Sequence, residues 1–260
     1  MGHVQSIHLL LKKEEIRKEK LSEGEKVAVV LDVLLATTTI ISALHNGARQ
    51  VIPVLDPSAG IEINQEEGNG EYVLAGELNA APVDDLIYPS PTLLRKMVRD
   101  KTLILSTTNG TVALRNSAAA KKVYIASLLN NPSVAEKIKR QHQTETIIIV
   151  CSGNSGEFSL EDFYGAGHLI DCLMLGSPER FNLNDAAKAA SALYRTNIEN
   201  AFDILQASYV GQLFNRHSLI DDLKLAANKG SVDLVPEMVN GRIEAESSRQ
   251  EMQHQNPDTR

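Results

Sequence analysis

The feature that most restricts this chain is a repeated alternation of short β-branched runs with stretches of helical spacing. Val27–Asp32 reads as a buried strand and Ala36–Asn46 as a helix stopped by Gly47. Gln50–Leu55 is the next strand, with Pro53 arguing for an edge position. A helix starts near Pro57, then come short strands at Tyr72–Ala75 and Lys101–Ser106 and a helix over Gly110–Ala120. Lys122–Ala126 and Thr144–Cys151 are further strands, separated by a helix over Ser133–Gln141. Beyond Ser159 the pattern is helical, through Leu175, Leu183–Tyr194, Ile198–Gln206 and Leu219–Asn228, with a final strand at Val232–Val235. Strands joined by helices of this length imply right-handed crossovers and a mostly parallel sheet with helices on both faces, a three-layer α/β/α fold. Covered faces also explain why the strands are continuous apolar runs.

The chain has 260 residues, suited to one α/β unit over 1–246 followed by a polar tail over 247–260 that reads as disordered. A weak internal echo, strand, Thr-rich loop, helix and then Ala48-Arg49-Gln50-Val51 or Ala120-Lys121-Lys122-Val123, leaves open two similar fused lobes beside chance self-similarity. A net charge of -7, 4% aromatics and no Trp oppose a nucleic-acid footprint. Two cysteines, Cys151 and Cys172, make no disulfide framework, and no apolar run reaches bilayer length. A soluble cytoplasmic protein is expected, either alone or as a homodimer.

Ligands of open parallel sheets sit beyond the carboxyl ends of the strands, so the loops leaving strands carry the chemistry. Asp32 ends a strand and Thr37, Thr38 and Thr39 open the next helix. Such a helix start favours an anion and the carboxylate suits a divalent metal or a nucleophile, although capping alone accounts for the same residues. Thr107, Thr108, Asn109 and Gly110 repeat the composition, with a plain turn as the alternative. Ser152 and Gly153 begin a Gly- and Ser-rich loop into Ser159-Leu160-Glu161-Asp162. That capping-box pattern explains Ser159 and Asp162 and leaves Glu161 the freer acid. Glu77 also lands at a strand end. The P-loop, dinucleotide fingerprint, Asp-x-Asp and H-E-x-x-H strings are all absent, and the loop after Cys151 has no Arg to support a thiolate nucleophile.

Taken together, four strings in order resemble the magnesium-dependent 2-phosphosulfolactate phosphatases. They are VVLDVLLATTTIISALHNGA (Val29–Ala48), LAGE (Leu74–Glu77), LSTTNGT (Leu105–Thr111) and VCSGNSGEFSLEDFYGAG (Val150–Gly167), with a weaker echo over Ser208–Val235 that includes Asp222. The resemblance implies an α/β fold and Mg²⁺-dependent hydrolysis of a small anionic phosphoester, 2-phospho-3-sulfolactate, to 3-sulfolactate and phosphate, within sulfolactate and coenzyme M metabolism. Asp32, Glu77, Glu161 and Asp162 are then the expected metal ligands, the first three also the catalytic set. Thr37, Thr38, Thr39, Thr107, Thr108, Asn109, Gly110, Ser152 and Gly153 are the expected substrate cradle. The chain departs from the family pattern at Leu35, Leu78 and Val112, where members typically carry Arg, and Tyr88-Pro89-Ser90-Pro91 replaces a Gly-Asn-Ser-Pro string. Each lost bidentate contact removes roughly 1.5–3 kcal/mol of anion binding. Two alternatives therefore stand beside the family reaction: a phosphatase with a different small phosphoester, and a non-catalytic anion-binding relative.

Overall fold

The computed structural model describes residues 4–66 and 71–247. Its strands are β1 (Gln5–Leu10), β2 (Lys26–Leu31), β3 (Gln50–Val54), β4 (Tyr72–Leu78), β5 (Ala81–Pro82), β6 (Thr102–Ser106), β7 (Lys122–Ala126), β8 (Thr146–Cys151), β9 (Phe181–Leu183), β10 (Leu234–Val239) and β11 (Arg242–Ser247). The helices are α1 (Lys18–Ser22), α2 (Ala36–His45), α3 (Pro57–Glu66), α4 (Pro91–Leu94), α5 (Gly110–Ser117) and α6 (Asn131–Gln141). Five more follow: α7 (Leu160–Met174), α8 (Asp185–Thr196), α9 (Ala201–Ala207), α10 (Tyr209–Arg216) and α11 (Ile220–Ala226). No helix among the described residues is long and apolar enough to cross a membrane.

One sheet takes in all eleven strands in the order β5-β4-β6-β3-β11-β10-β7-β2-β8-β1-β9. Two parallel halves, β4-β6-β3 and β7-β2-β8-β1-β9, flank the antiparallel hairpin β10–β11. The hairpin meets each half at a single residue pair, Glu237 with Tyr124 and Ile243 with Val51. The echoing units β2–α2 and β6–α5 fall in different halves. The expected α/β/α layering is present. One buried cluster joins Val27, Val29 and Leu31 to Leu169, Leu173 and Ala190 under α7 and α8; a second joins Ala28 and Val30 to Ile40, Ile41 and Leu114 under α2 and α5. Neighbouring β2 residues thus serve opposite layers, the period of two that a strand dictates. Each such fully buried Val, Leu or Ile contributes roughly 1.5–3 kcal/mol.

Several sequence expectations change. Pro53 lies on an internal strand, not an edge, because β11 pairs with β3 only at Val51 and the missing N–H costs no ladder bond there. The charged N-terminal region hides β1, whose apolar face holds only Ile7 and Leu9 fully buried. The expected final strand is a two-strand hairpin, and Ser247 ends β11 instead of opening the tail, whose residues 248–260 lie outside the described residues.

Candidate active site

Asp32 leaves β2 in a tight turn into α2. Its backbone carbonyl accepts from the Thr37 amide (3.0 Å) and hydroxyl (2.8 Å), and its Oδ1 accepts from the Ala36 amide at 3.3 Å. The carboxylate therefore caps α2, where the free amides of a helix start favour negative charge. Gly110, which opens α5, packs directly against it. A methyl group on Gly110 would lie 2.4 Å from Ala36 Cβ and 2.6 Å from Asp32 Oδ2, so only glycine allows this approach.

Glu77 comes from the other half of the sheet, near the end of β4. Its Oε1 accepts from the Thr108 amide at 2.7 Å, and its Oε2 accepts from the Ala80 amide at 2.5 Å and the Thr108 hydroxyl at 3.2 Å. Both Asn79 (φ 52°) and Ala80 (φ 62°) are left-handed, the requirement of a two-residue turn between β4 and β5. Glu77 holds that strained turn and the β6–α5 loop together.

Asp32 and Glu77 face one cleft with a cavity volume of about 40 Å³, lined also by Leu34, Leu35, Ala36, Asn79, Ala80, Tyr88, Thr107, Asn109, Asn154, Val210 and Phe214. At roughly 10–15 Å³ per water, it holds about three waters or a hydrated ion. Burial first, and then the carboxylates of Glu77 and Glu161, push the Asp32 carboxyl up to about 7. A cation in the cleft would relieve that penalty. Tyr88 remains a neutral phenol, pushed up to about 12 by burial and by Glu77 and Asp222.

Of the remaining expected site residues, Thr107 and Asn109 line the cleft and most of the others serve the scaffold. Thr37, Thr38 and Thr39 are fully buried, and their hydroxyls donate to the carbonyls of Asp32, Val33 and Pro89 (2.8, 2.8 and 2.7 Å), so the expected hydroxyl cradle points inward. Asp162 accepts from the Val33 amide (2.8 Å) and the Gly153 amide (3.1 Å), tying the β8–α7 loop to the Asp32 turn. Glu161 is buried against the Ser159 and Ser208 hydroxyls, and burial raises its carboxyl. Neither acid lines the cleft. Ser152 is fully buried with its hydroxyl unpartnered, and Gly153 has a φ of 69°. Thr107 shares a reciprocal cap with Thr111, their hydroxyls accepting from each other's amides at 3.1 and 3.2 Å. Of the three aliphatic positions, Leu35 lines the cleft while Leu78 and Val112 do not; Leu78 is 59% exposed.

Other residues of the site were not expected. Lys13 Nζ donates to Asn109 Oδ1 at 2.8 Å and pairs with Glu14 at 2.9 Å, bringing a cation to the cleft wall. The Ser155 amide donates to the same Asn109 oxygen at 3.1 Å. Lys13 sits in a charged run that reads as solvated. Asn79 and Ala80 adjoin Glu77, Tyr88 lies in the altered Tyr88-Pro89-Ser90-Pro91 string, and Val210 and Phe214 lie in the weak echo after Ser208. Those strings were the available signals. Asp222 accepts from the Thr92 amide (3.0 Å) and hydroxyl (2.6 Å), joining α11 to α4.

Among the described residues no three His, Cys, Asp or Glu side chains gather into a metal cage. Magnesium does not need one: it binds through one or two carboxylates and keeps waters and phosphate oxygens for the rest. Asp32 and Glu77 are hard oxygen donors on one small polar cleft, a set that fits such an ion.

The model of the 2-phosphosulpholactate phosphatase family matches residues 10–241. A Clostridium novyi protein named a probable 2-phosphosulfolactate phosphatase is 35% identical over 233 residues, covering 89% of this chain and 96% of that protein. Proteins of the same name from Clostridium acetobutylicum and Symbiobacterium thermophilum are 34% and 35% identical, covering 91% and 84% of this chain and 99% and 93% of their own lengths.

Proposed function

The chain belongs to the 2-phosphosulfolactate phosphatase family of phosphoric monoester hydrolases, and from that premise we propose that it converts 2-phospho-3-sulfolactate to 3-sulfolactate and phosphate with Mg²⁺ held by Asp32 and Glu77. What carries this reading is the meeting of those two carboxylates, from opposite halves of the sheet, on one small cleft.

Bound there, Mg²⁺ supplies charge neutralisation for the phosphoryl oxygens. The chain's own groups do the positioning. Asp32 is fixed by the start of α2, and Glu77 by the Thr108 amide and the β4–β5 turn. Thr107 and Asn109 line the wall beside them, with Asn109 steered by Lys13. The protonated Tyr88 phenol serves as a hydrogen-bond donor to substrate oxygens. Leu34, Val210 and Phe214 limit water at the reacting phosphorus.

Phosphate release from 2-phospho-3-sulfolactate, with and without a chelator, tests the proposal. Release that follows Mg²⁺ and stops on chelation is expected, with 3-sulfolactate as the organic product. Undiminished release in the chelator would remove the metal from the scheme.

A further inference from the structure

Next to the carboxylate cleft lies a space of opposite character. A pocket of about 550 Å³ opens between Ala80, Pro82, Tyr88, Leu93, Leu213 and Leu219. Asn79, Ala80 and Tyr88 line both spaces, so the pocket lies directly beside the carboxylate cleft. Small-molecule sites are usually apolar concavities of roughly 300–1,000 Å³ with a few fixed polar groups at one end. The two spaces together have that form. A sulfonate or carboxylate entering between these leucines would shed water for largely apolar walls, on which His217 is the one side chain able to carry positive charge. An alkyl or aryl group would gain from the same walls, and Leu93, 45% exposed, is apolar surface awaiting cover. At the cleft end, Leu35 stands as a further aliphatic wall.

We propose that this pocket seats the apolar group of a phosphate monoester, so that the chain hydrolyses alkyl or aryl phosphates as well as the sulfonated acid; this rests on the phosphatase reading above. In that reaction the oxygen of water forms a new bond to phosphorus and the bond from phosphorus to the alcohol oxygen breaks. A water proton ends on the alcohol, and inorganic phosphate is the second product. The occupant is taken as part of the substrate and not a second protein because the pocket adjoins the cleft, the two sharing three lining residues.

The test is kcat/KM for ethyl, butyl and hexyl phosphate, whose leaving alcohols differ little in acidity, with Mg²⁺ present and 2-phospho-3-sulfolactate as a reference. Each methylene that becomes buried is worth about fourfold, so hexyl phosphate should exceed ethyl phosphate by at least about tenfold. In Leu93→Glu, and separately in Leu213→Ala, that ratio should fall towards one. Leu93 is exposed enough for the substitution to leave the fold intact, which circular dichroism verifies. A flat series, with hydrolysis of the reference or of ethyl phosphate retained, overturns the pocket assignment and leaves the phosphatase reading standing. A flat series in which Leu93→Glu also splits a dimer in sedimentation overturns it in favour of a second copy. No phosphate from any ester, in folded protein with Mg²⁺, overturns the phosphatase reading itself.

Discussion

At the scale of single residues, Lys13 and Thr37 separate groups that act on a ligand from groups that hold the turn. Lys13 touches Asn109 at the cleft wall. Lys13→Ala should raise KM for 2-phospho-3-sulfolactate about tenfold with kcat nearly kept, as loss of one charge-assisted anchor predicts. The Thr37 hydroxyl is spent on Asp32's own backbone. Thr37→Val should lower stability by roughly 1–2 kcal/mol in urea unfolding and leave KM alone. Steady-state kinetics with the unfolding curve of each variant separates the two. Asp32 and Glu77 were legible in the sequence because a carboxylate at a strand end is exposed to the ligand side of any parallel sheet. The direction of the threonine hydroxyls was not. A Thr at a helix start can face outward or cap inward, and only the neighbouring carbonyls decide. Asp162 was legible as a cap, and its amide does take Ser159 as partner at 3.2 Å, but its carboxylate turned out to bind backbone 129 residues away at Val33.

At the scale of elements, the site depends on two close fits. The first is α5 against α2, with Gly110 between them. Gly110→Ala forces its methyl into Ala36 and Asp32, at a cost of about 1–3 kcal/mol. It should also depress turnover sharply, because α5 and the Asp32 turn must part. The second is the β4–β5 turn, where Ala80 at φ 62° bears a penalty of roughly 1–2 kcal/mol that glycine would not. Ala80→Gly should therefore raise the urea midpoint, with the Glu77 contact to its amide retained. The βα units themselves were readable from apolar runs and glycine stops. The turn was not, since Asn-Ala lacks the glycine that announces such turns. β1 was missed because its partners, β8 and β9, lie far along the chain, so its strand character comes from pairing and not from composition.

At the scale of the whole molecule, the layers were predictable while the meeting of the two halves was not. β2 and β4 are far apart in strand order, yet their loops share a cleft, with α2 and α5 packed in one buried cluster with Met238 and Ile243 of the β10–β11 hairpin. No local pattern encodes that, and the hairpin read as one strand. The layers also carry a pH-dependent contribution to stability. His168 is buried in the α7–α8 interface, 4.9 Å from the Tyr194 ring, and accepts from Asn131 at 3.2 Å. Burial, helped by Lys229, holds it down at about 4. The unfolded chain takes up a proton near the ordinary 6.5 and the folded chain resists, so its contribution is complete above 6.5 and is lost as pH falls towards 4. Relative to His168→Gln, the parent's unfolding free energy should fall by a few kcal/mol across that window, the buried Asp32 and Glu161 carboxyls titrating alike in both chains.

Asp32 is the carboxylate on which the proposed phosphatase site depends most. The direct measurement is turnover of 2-phospho-3-sulfolactate by Asp32→Asn in saturating Mg²⁺, beside its melting temperature with and without the ion. The amide keeps the shape and removes a buried charge near Glu77 and Glu161. The variant should melt no lower than the parent without metal, lose the upward shift that Mg²⁺ gives the parent, and fall at least about a hundredfold in kcat. A folded Asp32→Asn chain with parental turnover and a parental Mg²⁺ shift would contradict that dependence.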